Sequence, residues 1–200
     1  MVANHIHDAL GQVRKLQEFI LEKRRFRGYS GTARVLGGAV ALVGAMVMDS
    51  GLVSNTPLRH LVGWGLVLGA ALVCNYGALG LWFLFDRDAK RELLRLMPAF
   101  DAIPALAMGA VLSVAVILQG QYQFLFGIWM CLYGVGHTGY RQSLPKANYV
   151  VGIFYMLCGT WCLLDPRVSF LNPWPMGLVF FAGESAGGVI LYRNRLEEKS

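Results

Sequence analysis

Hydrophobic residues in this chain occur in long uninterrupted blocks that are separated by polar, mostly charged segments. A helix of roughly 17 to 25 apolar residues is long enough to cross a bilayer. The pattern therefore predicts an all-α, polytopic membrane protein with six transmembrane helices in three hairpins, over Val35 to Val53, Leu58 to Phe85, Ala102 to Leu118, Phe124 to Tyr140, Tyr149 to Leu164 and Trp174 to Tyr192.

The segment before the first block predicts a different kind of helix. Apolar residues between Ile6 and Ile20 keep helical spacing, and charged residues occupy the other faces. We expect this amphipathic helix to lie along the membrane surface, although a helix that docks on a partner protein would use the same stripe. Four basic residues are candidates for binding anionic lipid headgroups: Arg24, Arg25, Arg27 and Arg34. The predicted units are a cytoplasmic basic helix (1–30), a six-helix bundle (31–192) and a cytoplasmic tail (193–200).

Composition and charge support this topology. The chain is 56% hydrophobic and only 15% charged, which is typical of a membrane protein. Its net charge of +6 could indicate a nucleic-acid partner, but sixteen of the eighteen Lys and Arg residues fall on one side of the predicted topology, leaving Arg59 and Arg167 on the other. Basic residues mark the cytoplasmic side, so both termini are predicted to be cytoplasmic and no nucleic-acid partner is expected.

The last predicted helix contains one acid, Glu184, near its middle. Gly177, Phe180 and Gly187 share its face, whereas the opposite face is aliphatic and suits lipid. We therefore expect Glu184 to point into the bundle and to be neutral at rest. It could act in proton coupling, or it could fix helix packing through a hydrogen bond to Asn75, which lies at a similar depth in the second helix.

Small residues predict close helix packing. The first helix contains Gly37, Gly38 and Gly44, and the second contains Gly65 and Gly69 in a G-x-x-x-G arrangement. Helices in lipid associate through such surfaces, so the glycines predict tight contacts, within the bundle or in a homo-oligomer, and not a wide aqueous pore.

A serine motif offers an enzymatic alternative. Ser185 lies in a G-x-S-x-G sequence, but no histidine follows it, which excludes the usual order of a soluble serine hydrolase. An intramembrane hydrolase could instead use Ser185 as nucleophile, His137 as base and Asn75 as oxyanion donor, in the manner of rhomboid-like proteases. His137 is also predicted to lie about one turn inside the cytoplasmic interface, where an ordinary hydrogen-bonded histidine is expected.

A family resemblance is visible in residues 124–192. Gly152 and Gly159 are followed by Asp165 and Pro166 at the end of the fifth block. This spacing resembles the HdeD-like bacterial membrane proteins, which are associated with acid resistance, and the resemblance implies six spans in hairpins. The long basic N-terminal helix and Glu184 have no counterpart in that family pattern, so no functional residue is carried over.

Together these features predict a bacterial inner-membrane (plasma-membrane) protein of the accessory or stress-related class, which acts through helix packing and partner or lipid binding without catalytic activity. The alternatives are a small proton-coupled transporter that uses Glu184 and the intramembrane serine hydrolase. No cofactor or metal is predicted. A cavity that reaches Glu184 would favour the transporter.

Overall fold

The computed structural model describes residues 11–13, 30–85, 103–139 and 144–197. Every regular element in these ranges is helical, which confirms the all-α class. A 3₁₀ turn, Tyr122–Phe124, precedes the fourth of six main helices: α1 (Gly31–Asp49), α2 (Pro57–Phe85), α3 (Ile103–Leu118), α4 (Leu125–Gly139), α5 (Ala147–Leu164) and α6 (Trp174–Glu197).

Four of these helices, α1, α2, α5 and α6, are long and apolar enough to cross a membrane. The other two are shorter, with 16 residues in α3 and 15 in α4. Large apolar side chains cover the outside of the bundle; Leu66 and Val73 of α2, for example, are 72% and 73% exposed. Contiguous apolar surface of this kind indicates contact with lipid, so the chain is a helical membrane protein.

Glycines set the two tightest helix crossings, α1 with α6 and α4 with α5. A Cβ atom on Gly31 would lie 2.6 Å from the carbonyl oxygen of Gly188, and one on Gly134 would lie 2.6 Å from that of Gly152. Any larger residue at these positions would force the backbones apart. Gly38 of α1 likewise faces α6, so the predicted close packing of the first helix is confirmed.

The G-x-x-x-G motif of α2, Gly65 and Gly69, makes no close helix contact among the described helices. A Cβ on Gly65 or Gly69 would meet no atom within 4 Å. The prediction that this motif forms a tight contact within the bundle is wrong for the described residues, because α2 packs on α1 through another face. That face carries Gly63, Val67 and Ala71, spaced one turn apart.

Aromatic residues close one end of the bundle. Phe126 packs against Trp64 and Phe170, with ring centroids 5.7 and 5.0 Å apart. At the other end α6 continues as a helix to Glu197, so the predicted tail from residue 193 begins in helical form. Arg24, Arg25 and Arg27 lie outside the described residues, and their headgroup-binding role stays a prediction.

Candidate functional site

Polar side chains from four helices meet at the end of the bundle opposite the aromatic core. Arg34 lies in the first turn of α1, Asn148 in the first turn of α5 and His137 in the last turn of α4. Because Glu184 contacts residues in these terminal turns, it lies about one turn inside that end of the bundle. Helix α6 itself continues for 13 residues beyond Glu184, or roughly 20 Å. We call the whole group the Arg34 cluster; its members are Arg34, Tyr133, His137, Asn148, Tyr155 and Glu184.

A buried ion pair forms the centre of this cluster. Arg34 Nε donates to Glu184 Oε2 at 2.9 Å, and Arg34 Nη2 donates to Oε1 at 3.0 Å. Both side chains are 5% exposed. Two parallel hydrogen bonds between a guanidinium and a carboxylate define the relative position of both groups, so this pair ties α1 to α6.

The remaining contacts of Arg34 reach the other two helices. Nη1 donates to Asn148 Oδ1 at 2.7 Å, and Nη2 lies 2.8 Å from His137 Nε2. The Nδ1 atom of His137 is 3.1 Å from the carbonyl oxygen of Tyr133, which can only accept. We therefore assign the proton of a neutral imidazole to Nδ1, which leaves Nε2 free to accept from Arg34.

The carboxylate of Glu184 accepts four hydrogen bonds, three at Oε1 and one at Oε2. Besides the two arginine N–H groups, the hydroxyl groups of Tyr133 and Tyr155 each donate to Oε1 at 3.0 Å. An ionised carboxylate offers about two acceptor positions on each oxygen, so Oε1 is fully used and Oε2 accepts from Arg34 Nε alone. The expected neutral acid is therefore not what the geometry supports: Glu184 faces a guanidinium and accepts from every partner, as an ionised carboxylate does.

Two glycines of α6 make room for this arrangement. A Cβ on Gly187 would overlap the guanidinium of Arg34, and one on Gly183 would overlap the phenol ring of Tyr155. Both glycines lie within one turn of Glu184, so its two largest partners can approach the helix backbone. The glycine-rich face predicted around Glu184 thus accommodates polar partners as well as a helix crossing.

The structure separates some residues that the sequence analysis grouped. Asn75 Nδ2 donates to the carbonyl oxygen of Ala71 in its own helix at 3.0 Å, and no hydrogen bond joins Asn75 to Glu184 in the described part of the chain. Nor does one join Ser185 to His137, whose ring nitrogens contact Arg34 and the Tyr133 carbonyl. The geometry therefore provides no assembled Ser–His pair.

The assignment of Arg34 to lipid headgroups is corrected. This residue is only 4% exposed because its guanidinium is enclosed by the cluster. The sequence does contain a signal for this position. The buried stripe through which α1 packs has helical spacings of four, three and four residues, and it begins at Arg34 and continues through Gly38, Ala41 and Ala45. The roles of Tyr133, Tyr155 and Asn148 had no comparable signal.

A cavity of about 500 Å³ extends from the Arg34 cluster between α2 and α3. Within the described residues, α2 packs chiefly on α1 and α3 chiefly on α4, which leaves this space between them. Its walls are mostly apolar, with Leu68, Leu72 and Leu106 among them, and its polar end includes Arg34 and Glu184. A volume within the range of about 300 to 1,000 Å³ and convergent polar groups at one end are typical of small-molecule sites.

Comparison with protein families, with curated proteins and with solved structures finds no match for this chain. The class that the described fold and site define is a helical membrane protein with a buried arginine–glutamate pair beside an intramembrane cavity.

Proposed function

We propose that this chain is an accessory or stress-related protein of the bacterial inner membrane that binds a lipid-like amphiphile in the cavity between α2 and α3. In this proposal it crosses the bilayer six times with both termini in the cytoplasm, and it acts through binding and helix packing. The resemblance to HdeD-like proteins agrees with this class but contributes no site residue.

The observation that carries the proposal is the combination of the cavity with a cluster whose charged groups are already paired. The cavity opens between two helices with apolar outer surfaces, and molecules that meet such a surface in a bilayer are lipids and lipid-soluble compounds. At its polar end, Glu184 and His137 contact Arg34. A site of this kind is better suited to ligand binding than to catalysis.

A pair of matched variants tests this proposal. Gly65 lines the cavity, whereas Gly69, one turn further along α2, does not, and an added Cβ meets nothing within 4 Å at either position. Gly65→Leu should therefore fill the cavity, and Gly69→Leu should add the same side chain outside it. We expect mass spectrometry of protein purified in mild detergent to find a retained amphiphile in the wild type and in Gly69→Leu, and to find it lost in Gly65→Leu. A wild type that retains no amphiphile, or equal retention by both variants, would contradict the proposal.

The topology is tested separately. A reporter that is active only in the cytoplasm, fused to either end of the chain, should be active in both fusions because the basic segments are predicted to stay inside. Activity of only one fusion would exclude an even number of crossings.

A second candidate is proton-coupled transport through Glu184. The cavity that reaches this residue is the observation in its favour. Proton uptake at Glu184 would weaken its contact with Arg34, because a proton on the carboxylate removes the charge that the guanidinium pairs with. If the chain is a transporter, proteoliposomes should show pH-driven solute uptake that Glu184→Gln abolishes and Ser185→Ala preserves. Absence of uptake in the wild type would remove this candidate.

Hydrolysis of membrane peptide or lipid that disappears in Ser185→Ala would instead support the third alternative, the serine hydrolase.

A further inference from the structure

The cavity wall beside the Arg34 cluster offers two uncharged polar groups to a ligand. Asn75 uses one N–H on Ala71, which leaves its second N–H and its Oδ1 without partners among the described residues. The hydroxyl of Tyr76 has no hydrogen-bond partner there either, and both residues line the cavity. Ser113, by contrast, already donates to the Gly109 carbonyl and accepts from Trp129.

The described charged groups at the same end neutralise one another. Arg34 and Glu184 form a pair with no net charge, and Glu184 has four donors. Among the residues that the structure describes, a ligand that brought its own charge into this space would find no free counter-charge of opposite sign, and an uncompensated charge in apolar surroundings is strongly disfavoured. The available groups therefore suit a head that is polar but uncharged.

The whole cavity, polar end included, has the size of one single-chain amphiphile. Its lining runs along α2 from Leu61 to Leu79, roughly 27 Å of helix. If each heavy-atom group takes about the volume of a water molecule, roughly 30 Å³, then 500 Å³ holds on the order of sixteen of them, head and chain together. A second chain of that length would require about twice the space.

We infer that the cavity binds an uncharged, single-chain membrane amphiphile whose head carries hydroxyl or ester groups, with the head at Asn75 and Tyr76 and the chain between α2 and α3. This inference rests on the proposed function and specifies its ligand. The class is that of a monoacylglycerol, as distinct from a fatty acid or an alkylamine of the same chain.

The test uses three chain-brominated probes of one length: a monoacylglycerol, a fatty acid and an alkylamine. Bromine quenches tryptophan, and Trp64 and Trp129 line the cavity. We expect the monoacylglycerol to quench at concentrations at least about tenfold lower than the two charged probes. Tyr76→Phe should weaken its binding about three- to tenfold, the effect of losing one hydrogen bond. Tyr192→Phe is the matched control, because Tyr192 is 61% exposed and lies outside the cavity.

The possible outcomes separate the two proposals. The assigned ligand class would be overturned if the fatty acid or the alkylamine bound as tightly as the monoacylglycerol or more tightly. It would also be overturned if Tyr76→Phe and Tyr192→Phe had equal effects. In both cases binding in the cavity would still stand. If no probe quenches the wild type more than Gly65→Leu, the cavity does not bind amphiphiles and the proposed function fails with it.

Discussion

Removing both partners of the Arg34–Glu184 pair is expected to destabilise the bundle by less than the sum of the two single removals. Each single substitution leaves the other charge buried without compensation, since the two side chains are 5% exposed and paired with each other. Glu184→Gln keeps the shape of the side chain but removes its charge. Arg34→Met keeps much of the aliphatic length and removes all five N–H donors.

The expected magnitude follows from the burial of the pair. Breaking a buried ion pair by deleting one partner costs about 3 to 5 kcal/mol. The double variant Arg34→Met/Glu184→Gln contains no uncompensated charge, and the glutamine oxygen can still accept from Tyr133 and Tyr155. We therefore expect the double variant to be less destabilised than the sum of the singles, with a coupling energy of about 3 kcal/mol.

The assay is equilibrium unfolding of the four proteins in mixed micelles, followed by circular dichroism. The control cycle is the Asp165–Arg167 pair in the loop before α6, where the arginine side chain is 88% exposed. Coupling in that cycle should be much smaller, because solvent screens an exposed pair. Additive single effects at Arg34 and Glu184 would refute the reasoning, because they would show that the two charges do not compensate each other in the folded bundle.

Two further predictions concern space and pH. Gly187→Ala should destabilise the fold by about 1 to 3 kcal/mol, because its methyl group would overlap the Arg34 guanidinium. Gly69→Ala, which meets open space, is its control in the same unfolding assay, and equal effects would contradict the packing argument. Hydrogen bonds from Arg167 lower the pKa of the Asp165 carboxyl to about 2 from its ordinary 3.8, so the stability that this pair contributes should be present above about pH 3.8 and lost as the pH falls through about 2. Unfolding measured across that range should show a larger loss in the wild type than in Arg167→Gln, which keeps the backbone N–H donor to Asp165 but loses the guanidinium, and identical pH profiles would contradict the prediction.

Much of the helical architecture could be predicted from the sequence. The apolar blocks and the described helices differ by only a few residues at most ends, because helix formation in apolar segments is a local property. The buried face of α6 was also predictable, since Gly177, Glu184 and Gly187 share one side of a helix with a period of 3.6 residues. The C-terminal end of α6 was not predicted correctly, because the charged residues after Tyr192 suggested a tail, whereas the helix continues to Glu197.

Contacts between helices were harder to predict. Depth alone suggested Asn75 as a partner for Glu184, but depth does not specify how a helix is rotated about its axis. The carboxamide of Asn75 bonds to its own helix and lines the cavity. The G-x-x-x-G motif of α2 failed for the same reason, because α1 packs on the neighbouring face that carries Gly63 and Val67.

The sequence by itself determined that this chain forms apolar helices with one acid on a glycine-rich face, since residue order fixes which side chains share a helix face. Only the tertiary structure decided that the partner of this acid is Arg34, which lies 150 residues away in the chain. It also decided that a cavity remains between α2 and α3. The physical reason is that a salt bridge between distant residues and a space between helices depend on the order, rotation and spacing of packed helices, and no local pattern of residues encodes these.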